Sequence, residues 1–151
     1  MTKPSYVYVT YIQSTPDKVF AALTDPEMTK DYWGRHRNRS DWKPGSAWRH
    51  EDYDDANAIR IEGEVIERRP PHRLVLSWAR PGDTANPDKT SRVTFEIEAF
   101  MGAVRLTVTH EELDDDMFKG ISAGWPAVLS SLKTMLETGA SLPMTRQRWH
   151  K

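Results

Sequence analysis

The side chains best suited to proton transfer or ligand contact in this chain are five histidines, at positions 36, 50, 72, 110 and 150. An imidazole titrates near neutral pH and can serve as general acid, general base or metal ligand. None of the five falls in HExxH or another local ligand spacing, and GxSxG, Walker and GxGxxG signatures are absent too. The sequence therefore names no catalytic residue, no metal site and no cofactor, and any chemistry must come from histidines that the fold brings together. The chain has no cysteine, which excludes disulfides, thiolate metal sites and a thiol nucleophile and suits a reducing compartment.

Six tryptophans are the second resource. An indole offers a large apolar face and one N–H donor, so it can floor a ligand cavity or fill a core. Trp125 stands beside Gly124 in GWPAVLSSLKTMLETG, and Trp33, Trp48 and Trp78 share its ambiguity; Trp149 lies in a basic tail, RQRWHK, that is expected to fray. The acidic run Glu111, Glu112, Asp114, Asp115 and Asp116 reads as a solvated loop before the last helix. RHRNRS reads as an edge strand blunted by charge.

Elements that could position these groups follow from periodicity. The stretch Tyr6 to Ile12 alternates as a strand; Ser14 or Thr15 then caps a short helix carrying Val19, Phe20 and Leu23, which Asp25-Pro26 stops, and a second helix runs from Glu27 to Trp33. Strand character returns at Arg35 to Trp42, Ser46 to Tyr53, Ala58 to Glu67, Arg73 to Trp78, Arg92 to Phe100 and Val104 to Glu111. Parity gathers Ile59, Ile61, Gly63 and Val65 on one face, then Leu74, Leu76 and Trp78, then Val93, Phe95 and Ile97, then Leu106 and Val108. The closing helix gathers Ile121, Trp125, Val128, Leu129, Leu132, Met135 and Leu136 in one stripe and ends at Gly139. Pro126 belongs in a first turn, so regular helix is expected to begin near Ser122 to Trp125. The order is α+β: an antiparallel sheet, polar on one side, curling around its last helix.

The pieces TPDKVFAALTDPE, the Trp of DYWG, DWKPGSAWRHE, IEGEVIERRPPHRLVLSW, VTFEIEAFMGAVRLTVTHEEL and GWPAVLSSLKTMLETG, in that order, resemble the SRPBCC superfamily with its helix-grip fold. Within it they are similar to the domain family named for the activator of the heat-shock protein 90 ATPase. Two departures from the family pattern are Ser46, where a second glycine commonly follows Pro-Gly, and the long polar loop ARPGDTANPDKT. The resemblance implies a sheet of about seven strands gripping the C-terminal helix, with a cavity between them that often holds an apolar molecule. It sets a single domain at 1–140 and a tail at 141–151. The expected ligand-binding residues are Trp33, Trp48, His50, Ile61, Leu76, Trp78, Phe95, Leu106, Val108, His110, Trp125 and Leu129.

Parity also outlines a polar wall. If Trp42 faces inward, His36, Asn38 and Ser40 share its face; if Trp48 does, so do His50 and Asp52; and Leu106 and Val108 carry His110 with them. The competing reading leaves the Arg35 to Trp42 strand as an exposed edge with its histidines in water. Three functions are open: a binding module for an apolar or amphipathic small molecule, which leads; a cavity enzyme of cyclase or hydrolase type using inward histidines; and a co-chaperone of the heat-shock protein 90 ATPase, implied only by the family's name. With 21 basic against 22 acidic residues, no field draws the chain to nucleic acid or anionic lipid. No segment has signal or membrane-spanning character, so a cytoplasmic location is expected, with a weak homodimer as the one self-association allowed for.

Overall fold

The computed structural model describes residues 3–148. Seven strands form one antiparallel sheet: β1 (Tyr6–Ile12), β2 (His36–Ser40), β3 (Ala47–Asp52), β4 (Ile59–Arg69), β5 (Arg73–Trp78), β6 (Ser91–Phe100) and β7 (Ala103–Glu111), in the order β1-β7-β6-β5-β4-β3-β2. Two short helices, α1 (Pro16–Thr24) and α2 (Pro26–Tyr32), follow β1, and a long helix, α3 (Asp115–Thr138), closes the chain. This is the helix-grip α+β architecture. Thr15 caps α1, and Asp25 ends α1 while capping α2 through its carboxylate to the Glu27 N–H.

The expected strands are present with their ends trimmed. β2 is shorter than Arg35 to Trp42 because both of those residues take positive φ, 55° and 61°, which a strand cannot contain. Of the inward rows read from parity, Val65, Leu74, Leu76, Trp78, Val93, Phe95, Ile97, Leu106 and Val108 are buried in one core with Trp125, Val128, Leu129 and Leu132 of α3, while Ile59, Ile61 and Gly63 are half-buried. Gly63 is needed where β4 passes Trp48. A Cβ there would lie 1.9 Å from the Ser77 carbonyl oxygen and 2.5 Å from Trp48 Nε1, the two atoms that share a 2.7 Å hydrogen bond.

Two expectations about α3 are corrected. The helix starts at Asp115 rather than near Ser122 to Trp125, so Pro126 sits in its interior, where it cannot donate to the Ser122 carbonyl. The upstream turns form because the Asp114 carboxylate accepts from the Met117 N–H at 2.7 Å, while Asp115 and Asp116 place negative charge in the first turn, where the helix dipole favours it. The acidic run is thus no solvated loop: Glu111 ends β7, Glu112 turns the chain at φ 60°, Asp114 is the cap and two more acids open the helix. At the other end Gly139 takes φ 92° and closes the helix on Met135.

Beyond Gly139 the chain does not fray over 141–148 but folds back. Thr145 is fully buried, its hydroxyl 2.6 Å from that of Ser131 and its carbonyl accepting from the Gly34 N–H at 2.8 Å. Arg148 reaches Asp52 and Asp54. Trp149 and His150, read above as part of a frayed tail, lie outside the described residues.

Candidate functional site

Four indoles meet between α3 and the sheet. Trp78 lies 5.5 Å from Trp48 and 5.5 Å from Trp125, ring centre to ring centre, and Trp33 lies 5.3 Å from Trp125 and 6.4 Å from Trp78. Trp33 arrives from the end of α2, Trp48 from β3, Trp78 from β5 and Trp125 from α3, so the cluster forms only when sheet, α2 and α3 close together.

The histidines divide into two environments. His110, on β7, is completely buried: Trp125 Nε1 donates to its Nδ1 at 3.1 Å, and its Nε2 lies 2.9 Å from Ser91 Oγ. Because Trp125 can only donate, His110 is the Nε2–H tautomer and donates from Nε2 to Ser91 Oγ, whose hydroxyl in turn donates to the Trp78 carbonyl at 2.9 Å. Burial pushes the His110 pKa down to about 3. With both nitrogens engaged and the charged form disfavoured, it is a structural hydrogen-bonding group, not an acid or base at neutral pH.

His36 and His50 stack face to face, 5.0 Å apart and 18° from parallel, with His50 4.8 Å from Trp33. His50 Nδ1 lies 2.8 Å from Asn38 Oδ1, and Asn38 Nδ2 donates to the Leu23 carbonyl at 3.3 Å, which orients the amide. His36 Nδ1 lies 2.6 Å from the Gly34 carbonyl oxygen, so it is the donor there. Behind them Asp52 is buried; a hydrogen bond from the Arg148 guanidinium, aided by the Asp54 N–H, holds its carboxyl far below the usual carboxylate range. The inward polar row His36, Asn38, His50 and Asp52 is therefore inside the molecule. β2 is an edge strand, yet its inner face is covered by α2, which removes the exposed-edge reading.

A cleft of about 730 Å³ opens between the first half of α3 and strands β3 to β5. Its floor carries Trp33, Trp78 and Trp125, its polar end His36 and His50, and its helix wall Gly120, Ala123, Gly124 and Ala127 among Met117, Ile121 and Val128. A Cβ added at Gly120 or Gly124 would meet nothing within 4 Å. The mouth holds Arg60, Arg80 and Asp116; Arg80 is paired with Asp114 at 3.1 Å, and that hydrogen bond keeps the Asp114 carboxyl below its ordinary range.

Of the expected ligand-binding residues, Trp33, His50, Ile61, Trp78 and Trp125 line this cleft. Trp48, Leu76, Phe95, Leu106, Val108, His110 and Leu129 sit in the packed layer around and beneath it. The sequence reading passed over Gly120, Ala123, Gly124 and Ala127. Their i, i+3, i+4, i+7 spacing was a usable signal, hidden because the helix was expected to start after most of them. Arg60 and Arg80 gave no local signal. His72 lies away from the cleft with Nδ1 3.1 Å from the Ile97 carbonyl oxygen, and among the described residues no group of three or more histidines and acids is arranged to hold a metal ion.

Comparison with known proteins fits this geometry. Residues 13–137 match the family described as Activator of Hsp90 ATPase homolog 1-like protein. A comparison with curated proteins gave no match. Among solved structures, CalU16 from Micromonospora echinospora superposes with a TM-score of 0.72 at 19% identity, over 89% of this chain and 77% of that one. DynU16, described as a putative protein in the dynemicin biosynthetic locus, gives 0.76 at 21% identity over 97% of this chain and 51% of its own. PFC0360w, described as an HSP90 activator from Plasmodium falciparum, gives 0.72 at 21% identity over 87% and 95%. At these identities the likeness is one of fold. No helix among the described residues is long and apolar enough to cross a membrane.

Proposed function

The chain belongs to the Activator of Hsp90 ATPase homolog 1-like family, and from that premise and the cleft we propose that it is a binding module for an apolar or amphipathic small molecule. The observation that carries the proposal is the open cleft itself. Three indoles floor it, side-chain-poor turns of α3 wall it, and imidazoles at one end can orient a hydroxyl or carboxylate, the combination of apolar walls and few polar groups typical of ligand sites. A catalytic role built on three converging histidines loses His110, which is neutral and fully hydrogen-bonded.

The test uses N-phenylnaphthylamine, an uncharged fluorescent probe. Binding should brighten the probe and quench tryptophan emission, because three tryptophans line the cleft. Trp125→Ala is a poor control, since Trp125 is also core and the variant would lose about 3–5 kcal/mol. Gly124→Leu fills the cleft from a position with free space, and should weaken probe binding about tenfold or more while leaving thermal stability unchanged or raised. A wild-type protein that ignores the probe, or a Gly124→Leu variant that binds it equally well, removes the proposal.

A second reading rests on the family's description and on PFC0360w: stimulation of the heat-shock protein 90 ATPase. Turnover of that ATPase with stoichiometric chain at physiological salt decides it. A rise that persists in Gly124→Leu would assign activation to a surface other than the cleft.

A further inference from the structure

We infer that the occupant of the cleft is a planar aromatic acid, its ring system lying between the side-chain-poor wall of α3 and the indole floor, and its acid group held at the mouth by Arg60. This rests on the binding reading above and narrows it to a ligand class. Two features argue for a flat, rigid ring over a flexible acyl chain. Small residues, Gly120, Ala123, Gly124 and Ala127, interrupt the larger Met117, Ile121 and Val128 along the helix wall, so a thin ring fits over them where a bulkier group would not. Facing it are ring surfaces, Trp33 and Trp78, with Trp125 and His50 beside them, on which a second aromatic plane gains stacking energy as well as buried area. A rigid ring also surrenders less conformational freedom on entry than an alkyl chain does.

The acid follows from the charges at the mouth. Arg80 is engaged by Asp114 and feels the charges of Asp116 and Asp83 as well, so its own charge is already answered. Arg60 lines the cleft from β4 and, among the described residues, makes no ion pair and no side-chain hydrogen bond. Glu62, two residues along the same strand, does not pair with it and instead accepts from the Gly82 N–H at 3.3 Å. A guanidinium at the lip of an apolar slot offers a planar fork that a carboxylate fits, with the acid remaining near water where its desolvation is small.

Calorimetric titration with three probes separates the elements of the inference: naphthoate, its uncharged amide naphthamide, and undecanoate, a flexible carboxylate of similar carbon count. Naphthoate should bind about tenfold more tightly than undecanoate through stacking. It should exceed naphthamide about fivefold at low salt, and in Arg60→Gln, an exposed position whose loss leaves the fold intact, that ratio should fall to near one. Undecanoate binding as well as naphthoate would overturn the ring, and an acid-to-amide ratio that Arg60→Gln leaves unchanged would overturn the role of Arg60; either result would leave the cleft a binding site. Naphthoate that binds Gly124→Leu as well as wild type is outside the cleft, which overturns the inference. No binding by any of the three, with N-phenylnaphthylamine also inert, removes the binding reading and the inference with it.

Discussion

Up to Val128, α3 lines the cleft and presents Gly120, Ala123 and Gly124 to open space; beyond it the helix presents Leu129 and Leu132 to the sheet, both fully buried. One helix crosses one sheet, yet its second half is packed and its first half walls a cleft of about 730 Å³. The difference is side-chain volume. Isoleucine, valine and leucine on the strands meet leucine downstream, while upstream Ile59, Ile61 and the indoles meet a helix face on which Gly120, Ala123 and Gly124 stand among Met117 and Ile121. A cavity that survives between apolar walls needs such a deficit, because close packing otherwise closes it. Pro126 lies near the junction, and the cap at Asp114 with its Arg80 pair, together with the buried Met117 and Trp125, holds the upstream turns in place.

The largest test of this contrast compares one leucine with one isoleucine. Leu129→Ala removes a fully buried side chain from the packed half and should cost about 2–5 kcal/mol in urea unfolding. Ile121→Ala, on the cleft wall and half-buried, should cost about 1 kcal/mol. Equal losses would mean that the upstream half is packed like the downstream half, and the contrast would fail.

The histidines repeat the division and give a pH test. His110 belongs to the packed side, with its pKa depressed to about 3 against about 6.5 in the unfolded chain. Above pH 6.5 neither state binds the proton. As pH falls from there toward 3 the unfolded chain takes it up and the folded protein does not, so stability is lost on acidification, by up to about 1.4 kcal/mol per pH unit from this one group. His110→Gln should be less stable at pH 7, where it disrupts the link between Trp125 and Ser91, yet lose stability less steeply from pH 6.5 to 5. A slope identical to wild type would show that His110 charges freely in the folded state, and would return it to the list of acid–base candidates.

Much of this was legible in the sequence and some was not, for definite reasons. The rows on β5, β6 and β7 read correctly because each strand is regular and its inner face is apolar but for Ser91 and His110 at one end, so period-two alternation is undisturbed. The polar row on β2 and β3 was legible only conditionally. Parity placed His36, Asn38, His50 and Asp52 together, but whether water or α2 covered them depended on packing by a helix that meets β2 only in three dimensions, as the Thr29 hydroxyl accepting from the Asn38 N–H records. The start of α3 was misread because a proline rule was given precedence over a cap three residues before Met117. That error concealed the cleft wall. The fold-back at 141–148 was illegible because its anchors are distant: Arg148 meets Asp52 across 96 residues, and no local pattern announces such a pair.

The smallest expected effect has the opposite sign to the others. Glycine inside a helix costs about 0.5–1 kcal/mol relative to alanine, and a residue that keeps the cost commonly does so for space. At Gly63 the reason is a collision, since a Cβ would strike the Ser77 carbonyl at 1.9 Å. At Gly120 and Gly124 no neighbour lies within 4 Å of where a Cβ would be, and neither has the positive φ that alanine would resist. Gly120→Ala and Gly124→Ala should therefore each raise stability by about 0.5–1 kcal/mol, additively, since no contact is lost and a flexible position in the unfolded chain is restrained. Thermal unfolding of the two single variants and the double variant measures this directly. A gain in stability joined to weaker probe binding for Gly124→Ala would mean that these glycines hold the slot open at the expense of the helix. A loss of stability in both would mean that something already occupies that space, and the cleft as the contrast describes it would not exist in solution.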